Sequence, residues 1–306
     1  MANIGIVLAG GFAKGAYQIG ILKAIQEYFT IDQVKCVSAS SIGALNGYAF
    51  LVDKLDVAEE MWLTSEFKSA RDFAARYLRS SYFADTVETL VGDSGNPASN
   101  LYITSFNCTK LKLEYINLRN VKRENLKAYL RAGVTLPMFS HAVDIEGKKY
   151  VDGGLVDNIP VKPLMPLMKK GAIDYAIIIH FGNDNFIFEN SAFDDKLIRI
   201  IFMDEKIVKN SLSFDPGSIA AMIRTGYEES MALFDIIFRD GIDDLDAIYK
   251  KIHFVNSLKR NRKLRLTGDV VMGNINKVLK KIFSRTIVPV KESKSGARAN
   301  RKKRNF

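Results

Sequence analysis

The sequence predicts an α/β fold in which helices cover both faces of a mainly parallel central sheet, a three-layer sandwich. Two short apolar runs, residues 4–8 and 34–38, are each followed by a turn of small residues and then by a helical pattern. This strand, turn and helix order is typical of parallel sheets. A third run, residues 174–181, is continuously apolar, which is expected of a strand that is buried on both faces.

The rest of the chain predicts further elements and one domain. Residues 101–107 and 111–118 form a predicted strand pair, residues 123–131 a helix, and residues 192–283 a mainly helical part. We expect a single domain over residues 1–288, with its motif-bearing part at 4–163 and its helical part at about 190–285. Residues 289–306 form a predicted disordered tail, because they carry seven basic side chains, one acid and few apolar groups.

Composition narrows the class of protein. The 306 residues are 47% hydrophobic and can bury a large core. Cys36 and Cys108 have neither metal-ligand nor disulfide spacing. No apolar run approaches the roughly 20 residues that span a bilayer, and no signal peptide is visible, so we expect a cytoplasmic protein. The net charge of +10 is concentrated in the tail. Such tails are solvated or associate with anionic membrane surfaces, and without a base-reading motif they argue against nucleic acid as a partner.

A candidate nucleophile lies where the second predicted strand turns into a helix. The segment Ala39-Ser40-Ser41-Ile42-Gly43 resembles the Gly-x-Ser-x-Gly elbow, with Ala39 at the first glycine position. A sharp turn there exposes the Ser41 hydroxyl above the sheet edge, next to a helix N-terminus that favours negative charge. The alternative is a serine-rich loop in which Ser40 or Ser41 caps the helix.

A glycine-rich loop, Gly10 to Gly15, follows the first strand. It is not a dinucleotide fingerprint, because Phe12 occupies the middle glycine position, and it is not a P-loop, because Gly15 and not Ser or Thr follows Lys14. Two interpretations are left: an oxyanion hole built from backbone N–H groups, or a plain turn between strand and helix.

A candidate carboxylate lies at the end of another short predicted strand, in Tyr150-Val151-Asp152-Gly153-Gly154. The two glycines permit a sharp turn that brings Asp152 into a confined site. The alternative is an ordinary Asp-Gly hairpin turn.

Together and in this order, the segments LAGGFAKGAYQIGIL, SASSIGALNG, AGVTLPMF and YVDGGLVDNIPV resemble the patatin-like phospholipase family over residues 4 to about 163. The resemblance implies hydrolysis of fatty-acyl esters of (lyso)phospholipids or related lipids, with Ser41 as nucleophile, Asp152 as general base and no metal or organic cofactor. It also implies an oxyanion hole formed by Gly10, Gly11 and Phe12. The residues that would support this site are Lys14, Gly15, Ala39, Gly43, Gly153 and Gly154.

Two departures from the family pattern leave alternatives open. Phe12 and Ala39 stand where the family usually has glycine, and a positive φ at residue 12 would strain phenylalanine. A catalytically silent lipid- or acyl-binding protein of the same fold is therefore one alternative. A Ser-His-Asp esterase that uses His180 or His253 is the other, because the chain order suits it.

Overall fold

The computed structural model describes residues 1–64, 81–137, 141–181, 196–202 and 216–260. Its strands are β1 (Ile4–Leu8), β2 (Val34–Ala39), β3 (Asn100–Asn107), β4 (Lys112–Asn117), β5 (Val143–Ile145), β6 (Lys148–Asp152), β7 (Tyr175–Phe181) and β8 (Leu197–Phe202). Its helices are α1 (Gly15–Gln26), α2 (Ile42–Leu51), α3 (Leu55–Leu63), α4 (Ser81–Val91), α5 (Arg123–Val134), α6 (Met165–Lys169), α7 (Pro216–Phe238) and α8 (Leu245–Arg260).

The strands form one mixed sheet, in which hydrogen-bonded neighbours follow the order β5-β6-β3-β2-β1-β7-β8 and β3 also pairs with β4. This order lists pairings; β6 and β2 both pair with β3 along the same edge, one after the other. The five strands from β3 to β8 along this order are parallel to their neighbours. The pairs β3–β4, β3–β6 and β5–β6 are antiparallel. The predicted α/β fold with a mainly parallel sheet is therefore confirmed.

Alternating side chains of β1 show that both faces of the sheet are covered. Ile4, Ile6 and Leu8 belong to the larger core cluster, which also takes in residues of α1, α2 and α7. Val7 points to the other face and packs in a smaller cluster with Leu164 and Met168. This two-sided burial explains why the first and seventh strands are apolar without interruption.

The C-terminal part corrects one expectation from the sequence. Helices α7 and α8 confirm the predicted helical character over residues 216–260, but residues 197–202 form strand β8 and not a helix. A short apolar run such as LIRIIF does not distinguish a buried strand from a buried helix by its periodicity. Residues 261–306, including the predicted tail, lie outside the described residues.

Helix α7 packs against α1 at close range. A Cβ atom on Gly20 would overlap the Ile223 carbonyl oxygen, and one on Gly226 would overlap the Tyr17 carbonyl oxygen. The Tyr17 hydroxyl donates a 2.6 Å hydrogen bond to Glu229 across the same contact. The helix that follows the glycine loop is thus fixed to the C-terminal part of the chain.

Of the helices in the described ranges, none combines the length and the apolar character needed to cross a bilayer.

Candidate active site

Strand β3 brings two other strand ends together on one of its edges. Strand β2 runs parallel to β3 and ends with Ala39 opposite Ile103. Strand β6 runs antiparallel to β3 and ends with Asp152 opposite Ser105. Both strands lie on the same edge, because β4 pairs with Ile103 and Ser105 on the other edge. The C-terminal ends of β2 and β6 therefore meet head to head, one β3 residue apart.

Hydrogen bonds to neighbouring segments hold each of the two strand ends in place. Thr104, the β3 residue between them, donates a 2.9 Å hydrogen bond to the buried Ser40 hydroxyl. The Asp152 N–H donates to the carbonyl of Thr135 at the end of α5, over 2.9 Å. Thr135 belongs to the AGVTLPMF segment, which thus positions the backbone of the aspartate.

Ser41 occupies a strained turn between β2 and α2. Its φ and ψ are 53° and −132°, far from helix or strand values, and such strain costs about 1 to 3 kcal/mol. Close packing enforces the turn, since a Cβ on Gly43 would lie only 2.8 Å from the Leu8 carbonyl oxygen. Ala39 is the last residue of β2, where extended backbone accommodates its methyl group. The predicted elbow geometry is present, although the Ala39 position departs from the usual glycine.

Asp152 is buried, with 2% of its surface exposed, and it faces Ser41. The Gly154 N–H donates a 2.8 Å hydrogen bond to the Asp152 carboxylate, and the Ser41 hydroxyl lies close enough to interact with it. Burial raises the pKa of Asp152 to about 7, and these two interactions only partly offset the increase. The carboxyl can therefore exchange a proton near neutral pH.

The turn after Asp152 is not the hairpin that the sequence left open. Gly153–Leu155 form one turn of 3-10 helix, and neither glycine has a positive φ. Glycine is needed here because of close approach: a Cβ on Gly153 would lie 2.7 Å from the Ser105 nitrogen. A Cβ on Gly154 would lie 2.5 Å from the Ser40 hydroxyl. The turn thus seats Asp152 directly against the elbow.

The glycine loop presents two backbone donors beside this pair. Gly10 lies against Ser41, since a Cβ on Gly10 would approach the Ser41 Cβ to 2.6 Å. Phe12 has a φ of 53°, the strained conformation that was considered for this position, and its ring packs against the larger core cluster. Within the described part of the chain, the N–H groups of Gly11 and Phe12 have no acceptor. The Gly10 N–H, in contrast, donates to the side chain of Asn158.

Lys14 lies beneath this loop. Its backbone N–H donates to the Gly11 carbonyl over 3.1 Å, and its side chain is 7% exposed. The Lys14 Nζ lies 5.3 Å from the centre of the Phe181 ring, and the same ring covers Gly11, where a Cβ would come within 2.6 Å of it. Through this cation–π contact Lys14 and the loop share one aromatic neighbour, and the supporting role of Lys14 at the site stays a prediction.

The two histidines considered as triad members do not pair with the aspartate. His180 is buried near the C-terminal end of β7, and His253 is exposed on α8. Neither is bonded to the Asp152 carboxylate, whose partners in the described part of the chain are Ser41 and Gly154. A triad needs histidine between serine and aspartate. In this structure the side chain that interacts with the Asp152 carboxylate is that of Ser41.

The model of the family described as patatin-like phospholipase matches residues 6–165 of the chain, just over half of it. The chain belongs to the patatin-like phospholipase family. All four segments on which the resemblance rested lie within the matched residues, which also hold Ser41 and Asp152.

Curated relatives resemble the patatin-like part of the chain at modest identity. A lysophospholipase of Aspergillus terreus is 28% identical over 196 residues, which are 59% of this chain and 12% of the relative. A lysophospholipase of Mycosarcoma maydis is 28% identical over 180 residues, 54% of this chain and 9% of the relative. A patatin-like phospholipase domain-containing protein of Caenorhabditis elegans is 28% identical over 169 residues, 51% of this chain and 11% of the relative. The chain thus spans about a tenth of the length of these relatives.

Solved structures with a similar course of the chain include VipD from Legionella pneumophila, with a TM-score of 0.48 and 13% identity over 96% of this chain and 82% of that one. The type III effector ExoU gives a TM-score of 0.35 and 11% identity, covering 85% of this chain and 63% of that one.

Sequence reasoning missed several polar residues that hold this patatin-like site together. Asn158 contacts the glycine loop, and its signal was present in the motif YVDGGLVDNIPV, six residues after Asp152. Three fully buried side chains bind the ends of the loop from inside: Gln18 Nε2 donates to the Ala9 carbonyl over 2.6 Å, Asn46 Nδ2 donates to the Gly15 carbonyl over 2.8 Å, and Trp62 Nε1 donates to Asn46 over 3.3 Å. A single sequence gives no sign of these pairings, because their partners are distant in the chain.

Proposed function

We propose that this protein is a serine acyl hydrolase that cleaves fatty-acyl esters of (lyso)phospholipids or related lipids, with Ser41 as nucleophile and Asp152 as general base. The observation that carries the proposal is the proximity of the Ser41 hydroxyl to a buried carboxylate, with which it interacts and whose pKa is raised to about 7. A carboxylate with an ordinary pKa is a weak base for an alcohol. Burial makes Asp152 a stronger one at the pH where it is still ionised.

In the first half of the reaction, Ser41 Oγ attacks the ester carbonyl carbon while its proton passes to Asp152. The carbonyl oxygen becomes an oxyanion, for which we assign the Gly11 and Phe12 N–H groups as donors because no acceptor in the described part of the chain engages them, together with the positive end of α2. The Gly10 N–H, which also belonged to the predicted hole, is engaged by Asn158 and is not among the proposed donors. Asp152 then returns the proton to the leaving alcohol, and an acyl-enzyme is formed.

In the second half, Asp152 takes a proton from a water molecule, which attacks the acyl-enzyme and releases the fatty acid. The regenerated Ser41 hydroxyl receives the proton from Asp152, so the pair returns to its starting state. The chain's own residues supply every group in this cycle. The identity of the relatives as lysophospholipases supports a lysophospholipid or phospholipid ester as substrate.

Labelling with a fluorophosphonate, which reacts with activated serines, tests the nucleophile. We expect mass spectrometry to place the label on Ser41 and Ser41→Ala to abolish both labelling and release of fatty acid from a lipid panel. Ser40→Ala is the matched control, because it removes the neighbouring hydroxyl, which accepts from Thr104, and leaves Ser41 in place. Hydrolysis that persists in Ser41→Ala would refute the assignment.

The silent lipid-binding alternative is favoured by one observation, the strained φ of 53° at Phe12. It predicts that labelled lipid binds to the protein while fluorophosphonate labelling and fatty-acid release are both absent. The proposed enzyme predicts all three signals.

Sedimentation with anionic and zwitterionic vesicles tests the further proposal that the basic chain associates with anionic membrane surfaces. We expect greater binding to the anionic vesicles and its loss at high salt.

A further inference from the structure

The side chain of Asn158 binds both backbone polar groups of Gly10, the first residue of the glycine loop, and so touches the two peptide units on either side of its Cα atom. The Gly10 N–H donates to Asn158 Oδ1 over 3.0 Å, and Asn158 Nδ2 donates to the Gly10 carbonyl oxygen over 3.0 Å. The two bonds close a ring between the side-chain amide and the backbone of Gly10. Such a pairing fixes the orientation of a peptide more strictly than one hydrogen bond does, because both a donor and an acceptor must be matched.

We propose that Asn158 is a positioning residue for catalysis, which uses the Gly10 N–H and so directs the oxyanion to the next two donors, Gly11 and Phe12. This inference rests on the function proposed above. Gly10 lies in contact with Ser41, so the direction of its peptide sets where the following N–H groups point relative to the nucleophile. Pre-organised donors are effective only when they are aimed at the position where negative charge develops.

Asn158 also joins the loop to the turn that carries the base. It follows Asp152 by six residues, and its Oδ1 lies 3.2 Å from the position that a Cβ on Gly154 would occupy. The Asp152 Oδ1 lies 3.1 Å from the same position. The loop, the elbow and the aspartate turn thus converge on one small volume. A shift of any of these segments would change the distance between nucleophile, base and oxyanion donors.

The remainder of the loop is held from the opposite side. Gln18 and Asn46 bind the carbonyl groups of Ala9 and Gly15, the residues that flank the loop, and both side chains are fully buried. The Gln18 bond holds the peptide that carries the Gly10 N–H, but neither bond reaches the Gly10–Gly11 peptide, whose carbonyl accepts from Asn158 and whose N–H is that of Gly11. Loss of the Asn158 side chain should therefore release the Gly10–Gly11 peptide, while both ends of the loop stay in place.

Steady-state hydrolysis of a water-soluble ester by Asn158→Ala and Asn158→Asp tests the proposal. We expect kcat to fall by about 100-fold in Asn158→Ala with KM nearly unchanged, because the loss of one aligned donor typically costs 10²- to 10³-fold in kcat. Asn158→Asp keeps the volume and the acceptor but repels the Gly10 carbonyl, so it should also lower kcat. Its charge beside Asp152 should move the acidic limb of the pH–rate profile upward, which Asn158→Ala should not do.

Asn96→Ala provides the matched control. Asn96 also binds backbone carbonyls, those of Leu118 and Val121, through its side-chain amide, but far along the chain from the glycine loop. It should lose stability in urea and keep its kcat. An unchanged kcat in both Asn158 variants, an equal loss of kcat in Asn96→Ala, or unfolding of both Asn158 variants would overturn the proposal. Absence of Ser41-dependent hydrolysis in the wild-type protein would instead refute the proposed function.

Discussion

Replacing Asp152 with asparagine should remove hydrolysis and at the same time stabilise the folded protein. Among the described residues, the buried wild-type carboxylate has the Ser41 hydroxyl and the Gly154 N–H as partners, and its ionised form loses more hydration than these two interactions restore. Asparagine has nearly the same shape and can still accept from Gly154. It carries no charge, and therefore it avoids the cost of a buried anion.

The size of the effect follows from the pKa of Asp152, which burial raises from 3.8 to about 7. Between these two values the folded protein holds a proton that the unfolded chain has released, so wild-type stability falls as the pH rises from about 4 to about 7. One pH unit corresponds to about 1.4 kcal/mol. The cost of the carboxylate is then about 4 kcal/mol at pH 8 and about 2 kcal/mol at pH 5. Asp152→Asn should recover most of it.

Urea unfolding followed by circular dichroism at pH 5 and pH 8 measures this difference. Asp93→Asn serves as the control, because it makes the same chemical change at an exposed loop position. We expect the stabilisation by Asp152→Asn to be larger at pH 8 by about 2 kcal/mol, and Asp93→Asn to show no such dependence. If Asp152→Asn is as stable as the wild type at both pH values, or gains stability only at pH 5, burial of the Asp152 carboxylate does not destabilise the folded protein as described above.

Three more predictions follow from single features. Because the base must be ionised, kcat/KM for a soluble ester should rise about tenfold per pH unit below about 7 and level off above it, as a pH–rate profile would show. Gly20→Ala should lower the free energy of unfolding by about 1 to 3 kcal/mol, measured in urea, because the added methyl group overlaps the Ile223 carbonyl in the α1–α7 contact. Leu111→Gly should raise it by up to about 1 kcal/mol, because this 59% exposed residue has a φ of 52° and little packing to lose.

Each of these has a defined contrary result. A flat pH profile between pH 5 and pH 8 would mean that the ionisation of Asp152 does not limit the reaction. Gly133→Ala controls for the helix propensity of alanine, since a Cβ there meets its nearest neighbour at an ordinary 3.4 Å, and it should be neutral or stabilising. Equal destabilisation by the two glycine variants would argue against a close helix contact. A loss of stability in Leu111→Gly would show that its backbone is not strained.

The sequence was sufficient to predict the fold class and the candidate pair, for physical reasons that are local. Both β2 and its helix carry periodic patterns, and the elbow between them needs small residues at fixed spacing, so five neighbouring residues made Ser41 a candidate that the family resemblance then selected. Asp152 could be selected because two glycines follow it, although the structure shows that they serve close approach and not a hairpin. The sequence showed that a positive φ at residue 12 would strain phenylalanine, but it did not show whether residue 12 has one. The structure gives a φ of 53° there.

Contacts between distant parts of the chain could not be predicted. The bond between Asn158 and Gly10 joins residues 148 positions apart, and that between Thr104 and Ser40 joins residues 64 apart. Such pairings depend on the register of the whole sheet, to which no local pattern corresponds. Strand β8 was missed because a short apolar run is compatible with more than one buried element.

The head-to-head meeting of β2 and β6 on strand β3 has a consequence for how the length of this chain can vary. The register on β3 sets the spacing of the strand ends that carry Ser41 and Asp152, so insertions in the connections before and after that strand leave this spacing unchanged. One residue inserted between Ile103 and Ser105 would move the two strand ends apart by about 3.3 Å and turn the following side chains to the opposite face. Natural or engineered variants of this fold should therefore tolerate additions in the connections before and after β3, but not within these three residues or in the closely packed glycine loop, elbow and aspartate turn.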